Sequence, residues 1–129
     1  MKLLIVEDNP GMRQMMRRMA MGVADEISEC SDGIDALAQY AAERPDWVLM
    51  DVRMPRLNGI HATHQIKAAF PAARIVIVTS FDEAGLREAA QQAGACGYVL
   101  KADLADLRQI LTANQSSCEE QEKEKNETT

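Results

Sequence analysis

The stretch "WVLMDVRMPRLNG", residues 47–59, joins four large apolar residues directly to the carboxylate of Asp51. Such a continuous apolar run is typical of a strand covered on both faces, as in parallel sheets with helices above and below. A charged group at the end of a buried strand is costly unless it has a partner or a use. The stretch therefore predicts a buried parallel strand that delivers Asp51 to the edge of a sheet.

Three further apolar runs have strand length: "LLIV" at 3–6, "IVIV" at 75–78 and "YVL" at 98–100. A half-polar segment, "EISEC" at 26–30, suits an edge strand. Apolar residues at helical spacing separate these segments, so the pattern predicts five βα units. We predict an α/β, doubly wound, flavodoxin-like fold with five helices. The five-stranded parallel sheet should have the order 2-1-3-4-5, because this order puts the half-polar strand at an edge.

The composition is that of one ordinary globular domain of 129 residues with a net charge of -6. We predict a domain over 1–115 and an acidic tail, disordered or frayed helical, over 116–129. The negative charge argues against direct nucleic-acid binding. No apolar stretch approaches the ~20 residues of a membrane span, so we expect no membrane insertion and a cytoplasmic location. The three cysteines are far apart in the sequence and are expected to be reduced.

Polar residues follow the strands at the carboxyl edge of the predicted sheet, where open α/β folds bind ligands. These residues are Glu7 and Asp8 after the first strand, Asp51 after the third, Thr79 and Ser80 after the fourth, and Lys101 after the fifth. Three converging carboxylates repel one another, and a hard divalent cation such as Mg²⁺ would relieve the repulsion. A carboxylate beside Mg²⁺, a lysine and a hydroxyl can accept a phosphoryl group. The pattern therefore predicts Asp51 as a nucleophile in phosphoryl transfer.

With four motifs in order, the chain resembles the receiver domain of the two-component response regulators over residues 1 to about 114. The motifs are "ED" after the first strand, "DVRMPRLNG" around Asp51, "VTS" after the fourth strand and "GYVLKA" around the fifth. The resemblance implies that Asp51 is the phospho-acceptor and that Asp8 and Asp51 bind Mg²⁺ directly. Glu7 would act largely through water, and the backbone carbonyl of Arg53 would complete the protein ligands.

The resemblance also assigns residues to the phosphoryl group and to a switch. Thr79 and Lys101 would hold phosphoryl oxygens, and Ser80 would contribute its backbone N–H. Thr79 and Tyr98 would form the switch pair, in which phosphorylation draws the threonine inward and the tyrosine ring follows. Tyr98 as a plain core residue is the alternative. Arg53 and Phe81 would flank the path of an attacking water.

The resemblance implies the function of a receiver, and we predict that this receiver is stand-alone. It would accept a phosphoryl group on Asp51 from a histidine kinase or a histidine phosphotransfer protein, with Mg²⁺ as cofactor. It would then act on an unknown downstream protein, as a monomer or a phosphorylation-dependent dimer. The segment "GACGYVLKADLADLRQIL" is similar to receivers that usually carry a helix-turn-helix output domain. Such a protein is not an enzyme beyond its own phosphorylation and dephosphorylation.

Three other functions remain open at this point. A pseudo-receiver would keep the fold as a phosphorylation-independent binding module. A flavodoxin-like cofactor binder would need a phosphate-cradling loop, where "EDNPG" would instead repel a flavin phosphate. An Asp-nucleophile phosphatase would need a second acid two residues after Asp51, where Arg53 stands. The arginines of the first helix, Arg13, Arg17 and Arg18, are interpreted as a solvated face.

Overall fold

The apolar runs form one parallel sheet in the computed structural model, which describes residues 1–54 and 56–112. The strands are β1 (Lys2–Val6), β2 (Glu26–Cys30), β3 (Trp47–Met50), β4 (Ile75–Thr79) and β5 (Gly97–Leu100). Their order is β2-β1-β3-β4-β5, and every pair of neighbours is parallel. The predicted fold class, strand order and edge position of the half-polar strand are confirmed.

Five helices connect and follow the strands: α1 (Pro10–Ala20), α2 (Gly33–Glu43), α3 (Gly59–Ala69), α4 (Ala84–Ala93) and α5 (Ala105–Thr112). The first helix begins where the sequence predicts, because the side chain of Asn9 accepts a hydrogen bond from the N–H of Met12 at 3.0 Å and Pro10 stands at the first helical position. Gly94 ends α4 in the left-handed conformation, with φ of 103°.

Helices cover both faces of the sheet, so the strands are buried on both sides. On one face, α1 and α5 pack through residues such as Met16 and Leu107. On the other face, α2, α3 and α4 pack through residues such as Ala36, Ile66 and Ala90. Each strand sends alternate residues into the two cores, which is why the strands read as continuous apolar runs.

The predicted tail over 116–129 lies outside the described residues. Cys30 is a buried free thiol, but Cys96 is disulfide-bonded, so the expectation of reduced thiols is wrong for Cys96. A short 3₁₀ turn, Lys101–Asp103, follows β5 and was not predicted. Among the described helices, none is long and apolar enough to cross a membrane.

Candidate phosphoryl-accepting site

The strand register brings the predicted polar residues together at the carboxyl edge of the sheet. Val6 pairs with Met50, so the next residues along these neighbouring strands, Glu7 and Asp51, leave the sheet at the same level. Thr79 pairs with Leu100, so Lys101 follows beside the end of β4. The chain reverses its strand order between β1 and β3, which is the point where open α/β sheets bind ligands.

The backbone around Asp51 is fixed by a close approach to α3. Its N–H donates to the carbonyl of Val6 at 2.9 Å, and the N–H of Gly59 donates to the carbonyl of Val52 at 2.8 Å. A Cβ at Gly59 would lie 1.8 Å from the carbonyl oxygen of Asp51. Only glycine therefore allows the start of α3 to lie against Asp51, the predicted acceptor.

Three carboxylates form one cluster at this edge. Glu7, Asp8 and Asp51 each offer an oxygen, and these oxygens lie within 4.8 Å of one another. Glu7 is fully buried and Asp51 is 4% exposed, whereas Asp8 is exposed. The cluster thus has a buried side toward the sheet and an open side toward solvent, and a ligand could enter through the open side.

Lys101 is the cation of the cluster and contacts two of its acids. Its Nζ lies 2.7 Å from Oε1 of Glu7 and 3.3 Å from Oδ1 of Asp51. Burial lowers the pKa of Lys101, but the hydrogen bond to Glu7 and the charge of Asp51 outweigh burial, and the net pKa is raised. The ammonium group therefore stays charged at neutral pH and lies within reach of the Asp51 carboxylate.

The carboxyl of Glu7 has a raised pKa. Burial raises its pKa first and the nearby Asp51 carboxylate raises it further, while Lys101 opposes both, and the pKa reaches about 8. Its second oxygen, Oε2, is buried and has no hydrogen-bond partner among the described residues. A buried carboxylate oxygen without a partner is rare in folded proteins, and a water or an ion at the site is one explanation for it.

The donor set fits Mg²⁺. Magnesium prefers hard oxygen ligands, takes one or two carboxylates and keeps several waters. The cluster offers such oxygens from Glu7, Asp8 and Asp51, and its open side leaves room for water. A cation would also satisfy the orphaned Oε2 of Glu7, either directly or through water, and would offset the repulsion among the acids. Binding of such an ion by the backbone carbonyl of Arg53 stays a prediction.

Thr79 and Ser80 stand at the end of β4 with different exposures. Thr79 is fully buried, and its Oγ1 accepts a hydrogen bond from the N–H of Phe81 at 3.3 Å. Ser80 is exposed. The guanidinium of Arg53 stacks on the ring of Phe81, with Cζ 3.9 Å from the ring centre, and this pair links the loops after β3 and β4.

Tyr98 is half-buried on β5 rather than sealed in the core. Its hydroxyl donates to the backbone carbonyl of Phe81, and the guanidinium of Arg87 lies 4.5 Å from its ring centre. Burial raises the pKa of the Tyr98 hydroxyl, so the group remains a donor. Thr79 and Tyr98 therefore both bond to the backbone of Phe81, one to its N–H and the other to its carbonyl.

Two arginines that the sequence reasoning did not assign to the site support its loops. Arg13 donates to the backbone carbonyls of Glu7 at 2.8 Å and Asp8 at 3.2 Å, so its interpretation as part of a solvated face is wrong. Arg56, in the loop after β3, donates to the buried Asp32 carboxylate at 3.0 Å. The sequence signal for Arg13 was its place five residues after Asp8, but an arginine that faces solvent can stand at the same place.

Comparisons with known proteins identify the family of this chain. The sequence profile described as response regulator receiver domain matches residues 3–112. The chain is 36% identical over 107 residues to the uncharacterized transcriptional regulatory protein YxjL of Bacillus subtilis (strain 168), covering 81% of this chain and 49% of that protein. The chain thus spans about half the length of this curated relative, and the activity of the whole relative does not carry over.

Solved structures show the same fold. A two-component response regulator of the LuxR family from Aurantimonas sp. SI85-9A1 superposes with a TM-score of 0.82 at 34% identity, covering 89% of this chain and 84% of that one. The receiver domain of the sensor histidine kinase PA1611 from Pseudomonas aeruginosa PAO1, with a magnesium ion coordinated in its active site cleft, gives a TM-score of 0.76 at 33% identity, covering 85% and 93%. This chain belongs to the response regulator receiver domain family.

Proposed function

We propose that the chain accepts a phosphoryl group on Asp51 in a magnesium-dependent reaction. The supporting observation is the position of the Asp51 carboxylate, which lies 3.3 Å from the Lys101 ammonium and within one cluster with Glu7 and Asp8. The donor would be the phosphohistidine of a histidine kinase or a histidine phosphotransfer protein, as in the receiver family. A cytoplasmic location, action without an output domain of its own and the downstream partner stay predictions.

In the proposed reaction, the bond that forms on Asp51 replaces the bond that breaks on the phosphohistidine. A carboxylate oxygen of Asp51 forms a bond to phosphorus as the bond between phosphorus and the histidine nitrogen breaks. The leaving nitrogen keeps the electron pair and takes up a proton from solvent. The product is an acyl phosphate on Asp51, and water attack on its phosphorus later returns the carboxylate and inorganic phosphate. The protein in this proposal acts only on itself and turns over no other substrate.

The side chains around Asp51 would align the phosphoryl group and offset its charge. The Lys101 ammonium would exchange one of its carboxylate contacts for a phosphoryl oxygen, and Thr79 would donate its hydroxyl hydrogen. The backbone N–H of Ser80 is a third donor in this proposal. Mg²⁺ bound by Asp8 and Asp51, with Glu7 and the Arg53 carbonyl, would supply further charge neutralisation at the phosphoryl oxygens.

Intact mass spectrometry after incubation with acetyl phosphate tests this proposal. We expect one phosphoryl adduct on the wild type in the presence of Mg²⁺ and none in the presence of a chelator. The Asp51→Asn variant should give no adduct, whereas Asp106→Asn, which changes an exposed acid on α5, should behave as the wild type. A wild type that binds no Mg²⁺ and gains no adduct would favour the phosphorylation-independent pseudo-receiver instead.

A further inference from the structure

We propose that Arg13 is a positioning residue for the acidic loop and that it sets the affinity of the carboxylate cluster for a divalent cation. Its guanidinium holds Glu7 and Asp8 by their backbone carbonyls rather than by their side chains. This inference rests on the proposed magnesium-dependent function of the same cluster. It adds a residue from α1 whose side chain takes no part in the chemistry.

The contacts of Arg13 fix the backbone on both sides of Asp8. Nη1 donates to the carbonyl oxygen of Glu7 at 2.8 Å and to that of Asp8 at 3.2 Å. These two carbonyls belong to the peptide units before and after the Cα of Asp8, and each peptide unit is planar. Holding both planes restricts the two backbone dihedrals of Asp8 and therefore the direction in which its carboxylate leaves the chain.

The guanidinium itself is held in place from the edge strand. Its Nε lies 3.4 Å from Oε1 of Glu29 on β2, and only 20% of the Arg13 side chain is exposed. Arg17, one turn later on α1, binds the other oxygen of the same carboxylate at 2.8 Å and is 44% exposed. The planar, delocalised guanidinium suits this bridging of two carbonyls and one carboxylate better than a lysine ammonium would.

Removal of Arg13 should change magnesium affinity in opposite directions, depending on whether Arg13 acts through its charge or by positioning Asp8. A cation near the cluster repels Mg²⁺, so a guanidinium that acted only through its charge would weaken magnesium binding, and its removal would tighten binding. A guanidinium that orients Asp8 would instead strengthen binding, and its removal would weaken it. Partners that orient metal ligands typically change metal affinity by about 10-fold to 100-fold when removed.

The experiment compares Arg13→Gln with Arg17→Gln, because both variants remove one positive charge from α1 and one contact to Glu29. Mg²⁺ affinity is measured by isothermal titration calorimetry, and backbone amide exchange of Asp8 and Asn9 is measured on the metal-free proteins. We expect Arg13→Gln to weaken Mg²⁺ binding by about tenfold or more and to speed this exchange. Arg17→Gln should stay within about twofold of the wild type, since exposed ion pairs contribute little.

The proposal is overturned if Arg13→Gln binds Mg²⁺ as tightly as the wild type does, or more tightly. If Arg13→Gln does not fold, Arg13→Lys is measured instead, because it keeps the positive charge and loses the planar guanidinium. Unchanged affinity and exchange in a folded Arg13→Lys would then overturn it. If the wild type itself binds no Mg²⁺, the proposed function fails, and the exchange rates of the metal-free variants still decide whether Arg13 positions the loop.

Discussion

Protonation of the Glu7 carboxyl makes the charge of the site depend on pH. Its carboxyl is fully buried, and burial together with the nearby Asp51 carboxylate raises its pKa to about 8. Burial and the neighbouring Asp51 carboxylate therefore favour the protonated form of this carboxyl in the metal-free protein, while Lys101 favours the ionised form. Protonation of Glu7 and the binding of a cation are two ways of offsetting the same excess of negative charge, so the two processes compete.

Magnesium binding is accordingly expected to release a proton and to become tighter as the pH rises toward about 8, the pKa of Glu7. Calorimetry at pH 7 in buffers of different ionisation enthalpy measures the number of protons released. The Glu7→Gln variant, which mimics the neutral carboxyl, should release none. Equal proton release by the two proteins would show that Glu7 is not the coupled group.

The same pKa predicts the pH dependence of stability without metal. The pKa of Glu7 in the folded chain lies above its ordinary value of 4.5, so the folded state binds the proton more tightly than the unfolded state does. The contribution is complete below pH 4.5 and is lost as the pH rises through about 8. Urea unfolding with a chelator present should show this loss in the wild type, and Glu7→Gln should lack it.

Described residues of the loop after β3 lie against the starts of α2 and α3. A Cβ at Gly33, the first residue of α2, would lie 2.4 Å from the carbonyl oxygen of Leu57, and Arg56 bonds to Asp32 just before that helix. At the other end of the loop, Gly59 lies against Asp51. These backbone approaches restrain Asp51 and Leu57, which preorganises the site.

Gly59→Ala is therefore expected to destabilise the fold by about 1–3 kcal/mol or more, as overpacking does, and to disturb Asp51. Gly85→Ala is the matched control on α4, because a Cβ there meets nothing within 4 Å, and alanine should stabilise the protein by about 0.4–1 kcal/mol by restricting the unfolded chain. Urea unfolding of both variants measures the difference. A Gly59→Ala protein as stable as the wild type would mean that α3 can move away from Asp51 at little cost.

For the molecule as a whole, the sequence predicted the sheet and the acidic cluster because both follow from strand patterns. Continuous apolar runs indicate parallel strands, and the carboxyl ends of parallel strands meet at one edge, which brings Glu7 and Asp51 together. The contacts of Arg13 could not be predicted, since an arginine that bonds to carbonyls and one that faces solvent have the same sequence pattern. The bonds of Thr79 and Tyr98 to the backbone of Phe81 could not be predicted either, because a backbone partner does not depend on the type of side chain.

The shared contact with Phe81 suggests how phosphorylation of Asp51 could reach α4 and β5. The Thr79 hydroxyl accepts from the N–H of Phe81, and the Tyr98 hydroxyl donates to the Phe81 carbonyl. A Thr79 hydroxyl that turns toward a phosphoryl group releases the first bond, so the Phe81 backbone and the acceptor of Tyr98 can move. Such a coupling would be a two-state change driven by a local charge.

Thr79→Val should remove the coupling while keeping the side-chain volume. We expect phosphorylation of the wild type to change amide exchange over α4 and β5, and the variant, once phosphorylated, to show little of that change. Thr63→Val is the control, since the Thr63 hydroxyl is also buried but has no partner among the described residues, and its loss should leave the exchange response intact. A full response in phosphorylated Thr79→Val would contradict the coupling through Phe81, because the bond on which it depends is absent from that protein.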